Sequence, residues 1–184
     1  MISRLVLLGT VLMIGTRDIR PQSVPLVSAD FEVGRGWTSS RAGDTYFRES
    51  GGGIIEGDLT VRLGGPGATR PVIVAGYSSD VFAGDRTLDC PIAPNGGCKA
   101  WFPRTFGPTV GLGLRQMVGD WLMLGVTAGV ASFTSHAEFG AAEASLNVFA
   151  HFALVGKFAY YSMPYEPGAR VSFAPLTFGV RALW

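Results

Sequence analysis

The chain ends Thr177-Phe-Gly-Val-Arg-Ala-Leu-Trp184. Counting back from Trp184, the even positions Ala182, Val180, Phe178, Leu176 and Ala174 are all apolar. The odd positions hold Arg181, Gly179 and Thr177, beside Leu183. A period of two is the signature of a β-strand with one greasy face and one mixed face. The segment therefore reads as a strand that stops on an aromatic, and the rest of the sequence can be tested against it.

Seven further segments alternate in the same way: 31–38, 54–63, 72–82, 109–118, 121–133, 142–151 and 154–162. In the second, Ile55, Leu59, Val61 and Leu63 oppose Glu56, Asp58, Thr60 and Arg62. The fifth turns Leu122, Leu124, Val126, Ala128 and Val130 to one side, against Gly125, Thr127 and Gly129. The sixth sets Ala144, Leu146, Val148 and Ala150 against Glu143, Ser145, Asn147 and His151. Most run past the usual five or six residues of a soluble sheet and approach the roughly 9 to 11 that cross a tilted bilayer. Two positions sit awkwardly. Arg35 shares a face with Phe31, Val33 and Trp37, which needs a rim position or a bulge. Pro175 lies inside the last strand, where it removes a ladder hydrogen bond.

Composition decides which face meets what. Charged residues are only 16% of the 184, against about 25% in ordinary soluble domains, while glycine reaches 26. No apolar run outside the N-terminus is long enough for a spanning helix. A soluble barrel turns its apolar face inward and covers its outside with charge. The non-apolar face here carries glycines with isolated charges of both signs, and the chain has just two lysines, Lys99 and Lys157. That pattern suits a narrow lumen in which Glu56, Asp58, Arg62, Arg115, Glu143, Lys157 and Arg181 find partners, because a lone buried charge is prohibitive. Trp37, Tyr77, Trp121, Tyr160 and Trp184 lie near strand ends, as interfacial aromatics do. Net charge of +1 excludes an ordinary nucleic-acid binder.

The terminal strand, with Phe178, Gly179, Ala182 and Trp184, resembles the C-terminal signal of bacterial outer-membrane barrels. The whole layout is similar to the small eight-stranded barrels of the OmpA/OmpX type. The resemblance implies an all-β, eight-stranded antiparallel up-and-down transmembrane barrel spanning residues 30–184. It also implies residence in the outer membrane of a Gram-negative-type bacterium. Barrel-assembly machinery and outer-membrane lipids are the implied partners of a monomer that needs no cofactor. Short turns are expected on the periplasmic side, with longer loops at Arg41 to Gly53 and Ala83 to Phe106 outside.

Residues 1–29 read as a secretory signal, with Arg4 ahead of an apolar run from Leu5 to Ile14. Cleavage falls either near Gly15-Thr16 or after Val27-Ser28-Ala29. In an exported chain the close pair Cys90 and Cys98 is most simply a disulfide. It would close a loop worth about 2.5 kcal/mol in the entropy model. No metal-ligand spacing appears, and no phosphate-binding loop.

Nucleophile chemistry has one candidate neighbourhood, Ser132, Ser135, His136, Glu138 and Glu143. Ser135 and His136 are adjacent and so point to opposite faces of a strand, which argues against that pair. His151 falls on the inward row beside Asn147 and Glu143 and reads as a plug residue. The leading expectation is a non-enzymatic barrel with a plugged lumen and a structural or surface-interaction role. A small pore or an apolar-molecule channel is the alternative, and a lipid-modifying enzyme comes third.

Overall fold

The computed structural model describes residues 23–42, 45–80, 87–90, 98–101, 106–133, 136–164 and 169–184. Its elements are β1 (Val27–Ala42), β2 (Thr45–Arg62), β3 (Thr69–Asp80), β4 (Thr87–Cys90), β5 (Cys98–Trp101), β6 (Gly107–Val118), β7 (Leu122–Ser132), β8 (His136–Phe149), β9 (Phe152–Pro164) and β10 (Ala169–Leu183). Eight of them close into an all-antiparallel barrel in the order β1-β10-β9-β8-β7-β6-β3-β2. Only β4 and β5 stand apart, as a two-stranded hairpin.

Alternation sorts the side chains as the sequence suggests. Outward positions carry Phe31, Val33, Leu59, Ile73, Val110, Leu112, Leu124, Val126, Leu154, Phe158, Phe178 and Val180, all exposed. Leu112 is 66% exposed and Phe178 60%, values that make sense against lipid and not against water. Trp121 and Trp184 stand exposed near the end that holds the described chain termini, while Tyr77 and Tyr160 lie farther up the wall.

That end has the short turns. Gly119 adopts φ 66°, in the left-handed region that favours glycine, and turns β6 into β7. Gly64, at φ 82°, does the same after β2. At the seam, Val27 and Trp184 exchange backbone hydrogen bonds of 2.9 and 3.1 Å.

The structure resolves both awkward positions. A register shift between Arg35 and Trp37 marks a bulge in the β1–β2 ladder, and Arg35 stays exposed beside it. Pro175 is buried opposite Gly36 on the β1 side. On the β9 side the paired register stops at Phe173 and resumes at Leu176, so the missing N–H falls in a gap of that ladder.

Several boundaries move. The barrel begins at Val27, three residues before the Asp30 boundary read from sequence. The expected outer loop from Arg41 to Gly53 is mostly ladder, with β1 and β2 paired up to Ala42 and Thr45. At about 3.3 Å per residue, strands of 16 and 18 residues outrun the bilayer and project beyond it. The expected loop from Ala83 to Phe106 contains the β4–β5 hairpin. Strand β8 starts at His136 and ends at Phe149, with a register shift between Asn147 and Phe149. His151 is therefore not in the lumen. It lies exposed in the turn after β8, with Nδ1 3.2 Å from the Leu183 carbonyl oxygen.

Candidate functional site

The lumen is filled in three tiers, each set by the parity of its strands. Nearest the described termini is an apolar tier of Val24, Val72, Val74, Met117 and Met123, all buried. Val24 precedes β1 and tucks under the barrel. Its N–H donates to the Gly67 carbonyl at 3.1 Å, and its own carbonyl accepts from Arg62 Nη1. At the other end a second apolar tier packs Ile54, Phe133, Tyr161, Met163, Val171 and Phe173. There the Tyr161 ring lies 5.2 Å from that of Phe133 and 5.3 Å from that of Phe139.

Between these tiers sit the charges, in two groups. At the β1–β10 seam, Arg181 grips Asp30 with both Nε and Nη2, each at 2.6 Å. Arg181 Nη2 also reaches Glu143 at 2.7 Å, and Nη1 donates to Ser145 at 3.2 Å. Arg115 completes the group. Its Nε is 2.6 Å from Glu143 Oε1, off the hydrogen-bond axis, and its Nη1 donates to Ser28 at 2.8 Å.

The second group centres on Lys157, whose Nζ meets Asp58 at 2.5 Å, Glu56 at 2.9 Å and Glu32 at 3.2 Å. Thr177 donates to Glu32, and the Tyr161 hydroxyl donates to Glu56 at 3.1 Å. Inward glycines make room for these long side chains. A Cβ at Gly125 would overlap the Glu143 carboxyl, and one at Gly76 would overlap Asp58.

Of the seven charges named from sequence, six thus converge: Glu56, Asp58, Arg115, Glu143, Lys157 and Arg181. Arg62 stands apart at the mouth, holding Val24. Asp30 fell outside the first strand as read from sequence, which begins at Phe31, and Glu32, inside it, was passed over because only the row of Phe31, Val33, Arg35 and Trp37 was read. The signal was present, since Asp30, Glu32, Gly34 and Gly36 form the inward row that alternates with Phe31, Val33 and Arg35.

Carboxylate oxygens of Asp30, Glu32 and Asp58 come within 4.8 Å of one another. Arg181 and Lys157 already supply the opposing charge there. A cavity of ≈ 20 Å³ remains beside Asp58, Thr109, Thr127, Glu143, Lys157 and Tyr161, room for about one water.

The backbones of Cys90 and Cys98 pair directly across the β4–β5 hairpin, and their side chains lie outside the described residues. Phe178 and Trp184 of the terminal strand face outward. Among the candidate nucleophile group, Ser135 also lies outside the described residues. Glu143 is committed to the lumen. Ser132 and His136 are cross-strand partners on the outer wall, both exposed.

No family model and no curated protein sequence matches the chain. Solved structures do match. Neisserial surface protein A aligns over 86% of this chain and 97% of its own, at 10% identity with a TM-score of 0.52. The chain has the fold of the small eight-stranded outer-membrane β-barrels. Two further barrels are similar at lower TM-scores. Ail, the attachment invasion locus protein of Yersinia pestis, covers 84% of this chain and 97% of its own at 10% identity and 0.45. The outer membrane protease OmpT from Escherichia coli covers 92% and 99% at 12% and 0.46. At such identities the likeness establishes the architecture. Architecture of this kind does not by itself fix the activity of the barrel.

Proposed function

We propose that this barrel is a sealed, non-conducting element of the outer membrane, serving envelope structure or surface interaction through its outer wall and projecting hairpins. The observation that carries the reading is the tiered lumen, with paired charges enclosed between two apolar layers. Ions crossing it would have to displace Lys157 and Arg181 from their carboxylates and pass both dry tiers, each step a desolvation cost. The lumen network is a lock and not a catalytic centre, because its carboxylates are held by the cations beside them.

A monomer surrounded by outer-membrane lipid fits the continuous apolar wall. Insertion by the barrel-assembly machinery through Phe178, Gly179, Ala182 and Trp184 is part of the same proposal. The pore alternative needs a continuous water path. The tight packing of the two apolar tiers, with both methionines of one tier and Met163 of the other buried, speaks against such a path.

Single-channel recording in planar bilayers tests the reading. The expected result is a quiet membrane with folded, heat-modifiable protein inserted. Stable conductance steps would overturn it and make the charge network the lining of a pore.

A further inference from the structure

The charges enclosed between the two apolar tiers do not balance. Among the described residues the carboxylates of Asp30, Glu32, Glu56, Asp58 and Glu143 meet three cations, Arg115, Lys157 and Arg181. Lys157 is shared by Glu32, Glu56 and Asp58, and the two arginines serve Asp30 and Glu143. Arg62 and Arg70 lie at the mouth, where they donate to the backbone oxygens of Val24 and Pro66 instead. Two negative charges are therefore left over in a space that water does not fill. A buried charge has to be met by an opposite one, because the cost of leaving it alone is prohibitive.

The ≈ 20 Å³ cavity lies beside this excess, and its polar lining is oxygen apart from the Lys157 ammonium. Two glycines shape it. Asp58 Oδ1 lies against Gly76, whose partner on β6 is Thr109. Glu143 Oε1 lies against Gly125 in the same way, and it accepts no hydrogen bond. Thr109 is only 8% exposed, yet among the described residues its hydroxyl has no partner. Thr127 adds a second hydroxyl to the lining, and the Tyr161 oxygen, which donates to Glu56, keeps its lone pairs. Carboxylate and hydroxyl oxygens are the ligands of a hard cation, where zinc would draw on nitrogen or sulfur. Space for about one water admits a directly bound ion but not magnesium, which keeps several of its waters.

We propose that the lumen encloses a calcium ion, held by Asp58 and Glu143 together with the hydroxyls of Thr109 and Thr127. The two charges of calcium match the two left over by the side chains. Lys157 does not repel the ion as a bare ammonium would, because three carboxylates already surround its Nζ. With an apolar tier on either side, the ion is taken up as the barrel closes and is trapped once it has closed. It acts as a structural counter-ion and takes no part in chemistry.

The proposal rests on the sealed-lumen reading, and the two fail separately: a barrel that is quiet in planar bilayers and holds no calcium sinks the ion alone. The test refolds the full chain into lipid-free detergent with calcium chloride, with sodium chloride of equal ionic strength, or with EGTA. Each sample is then washed in EGTA and its metal content measured by plasma mass spectrometry. The expected result is one calcium retained per barrel in the first arm, with folded gel mobility lost at a higher temperature there than in the other two. Thr109→Val and Thr127→Val keep the side-chain shape and remove one oxygen each. Both should fold with heat-modifiable mobility, and the double variant should lose the calcium and the gain in melting temperature. Folded wild-type barrel that retains no calcium, or that gives it up to EGTA, overturns the proposal. So does sodium stabilising as well as calcium, or full retention by the folded double variant.

Discussion

Asp30 and Arg181 face each other directly across the seam where the first and last strands close the barrel. They are joined by two contacts of 2.6 Å, and both side chains have no solvent exposure. A bidentate guanidinium–carboxylate pair fixes geometry as well as charge. The barrel is thus clasped at the one junction that no hairpin supplies.

Breaking the clasp on one side leaves a buried charge without its partner. Asp30→Ala or Arg181→Ala should lower stability by about 3–5 kcal/mol. Urea titration of the refolded barrel, followed by tryptophan fluorescence, measures it. The double variant Asp30→Leu/Arg181→Met should recover part of the loss, because an apolar pair of similar volume carries no desolvation cost.

Lys157 holds three carboxylates, whereas Arg62 holds one backbone oxygen at a half-exposed mouth. Lys157→Met should therefore cost about 3–5 kcal/mol and Arg62→Met at most about 1 kcal/mol. Arg115→Ala or Glu143→Ala should fall near the Lys157 value. The ranking can be read from the temperatures at which each variant loses its folded mobility on a gel. Equal losses for Arg62 and Lys157 would contradict the tiered lumen.

Gly179 faces the seam so closely that a Cβ there would overlap the Phe31 carbonyl oxygen and the Glu32 Cα. Backbone cannot swing aside as a side-chain tip can. Gly179→Ala should cost about 1–3 kcal/mol by overpacking, whereas Gly57→Ala on β2, whose nearest neighbour would be at 3.8 Å, should be close to neutral. Paired unfolding curves of the two variants decide it.

The facing backbones of Cys90 and Cys98 suit a bridge, since cross-strand Cα spacings of about 4.5–5.5 Å lie within the disulfide range. Non-reducing mass spectrometry of exported protein should find the two sulfurs joined. Reduction should loosen the hairpin and leave the barrel's melting unchanged, because β4 and β5 make no ladder with it.

How far the sequence could be read depended on how regular each face was. The terminal strand and β7 were legible throughout, since parity there coincides with polarity. The convergence of Arg115, Glu143, Lys157 and Arg181 followed from that parity. Asp30 escapes because the apolar row that marks the strand begins only at Phe31, four residues after β1 starts, and Glu32 because that apolar row, and not the row facing it, carries the pattern. His151 was assigned inward because the register shift between Asn147 and Phe149 leaves no mark in the pattern. The extension of β1 and β2 was hidden by its glycines and polar residues, which look like loop when no apolar row accompanies them. The Ser132–His136 pairing needed the register itself, because hairpin length decides which residues meet.

Val24 carries an expectation for export processing. Cleavage after Ala29 would remove the residue that closes one mouth, together with the first three residues of β1. Cleavage near Gly15-Thr16 leaves both intact. Intact-mass measurement of the outer-membrane form should place its N-terminus at or before Ser23, and a start at Asp30 would contradict this.

The seam pair is separated by 151 positions in sequence. Its contact therefore cannot form until nearly the whole chain has been laid out as an open sheet, with β1 and β10 as free edges. Contacts of such long range are the slow ones in folding. Until the edges meet, Asp30, Arg115, Glu143 and Arg181 remain in water, so most of their desolvation falls on the final event. The rate of that event, and not only the depth of the native well, is then written into one aspartate and one arginine. Substitutions at either should lengthen the lifetime of the open sheet, whose unpaired edges are the surfaces on which two such chains would aggregate.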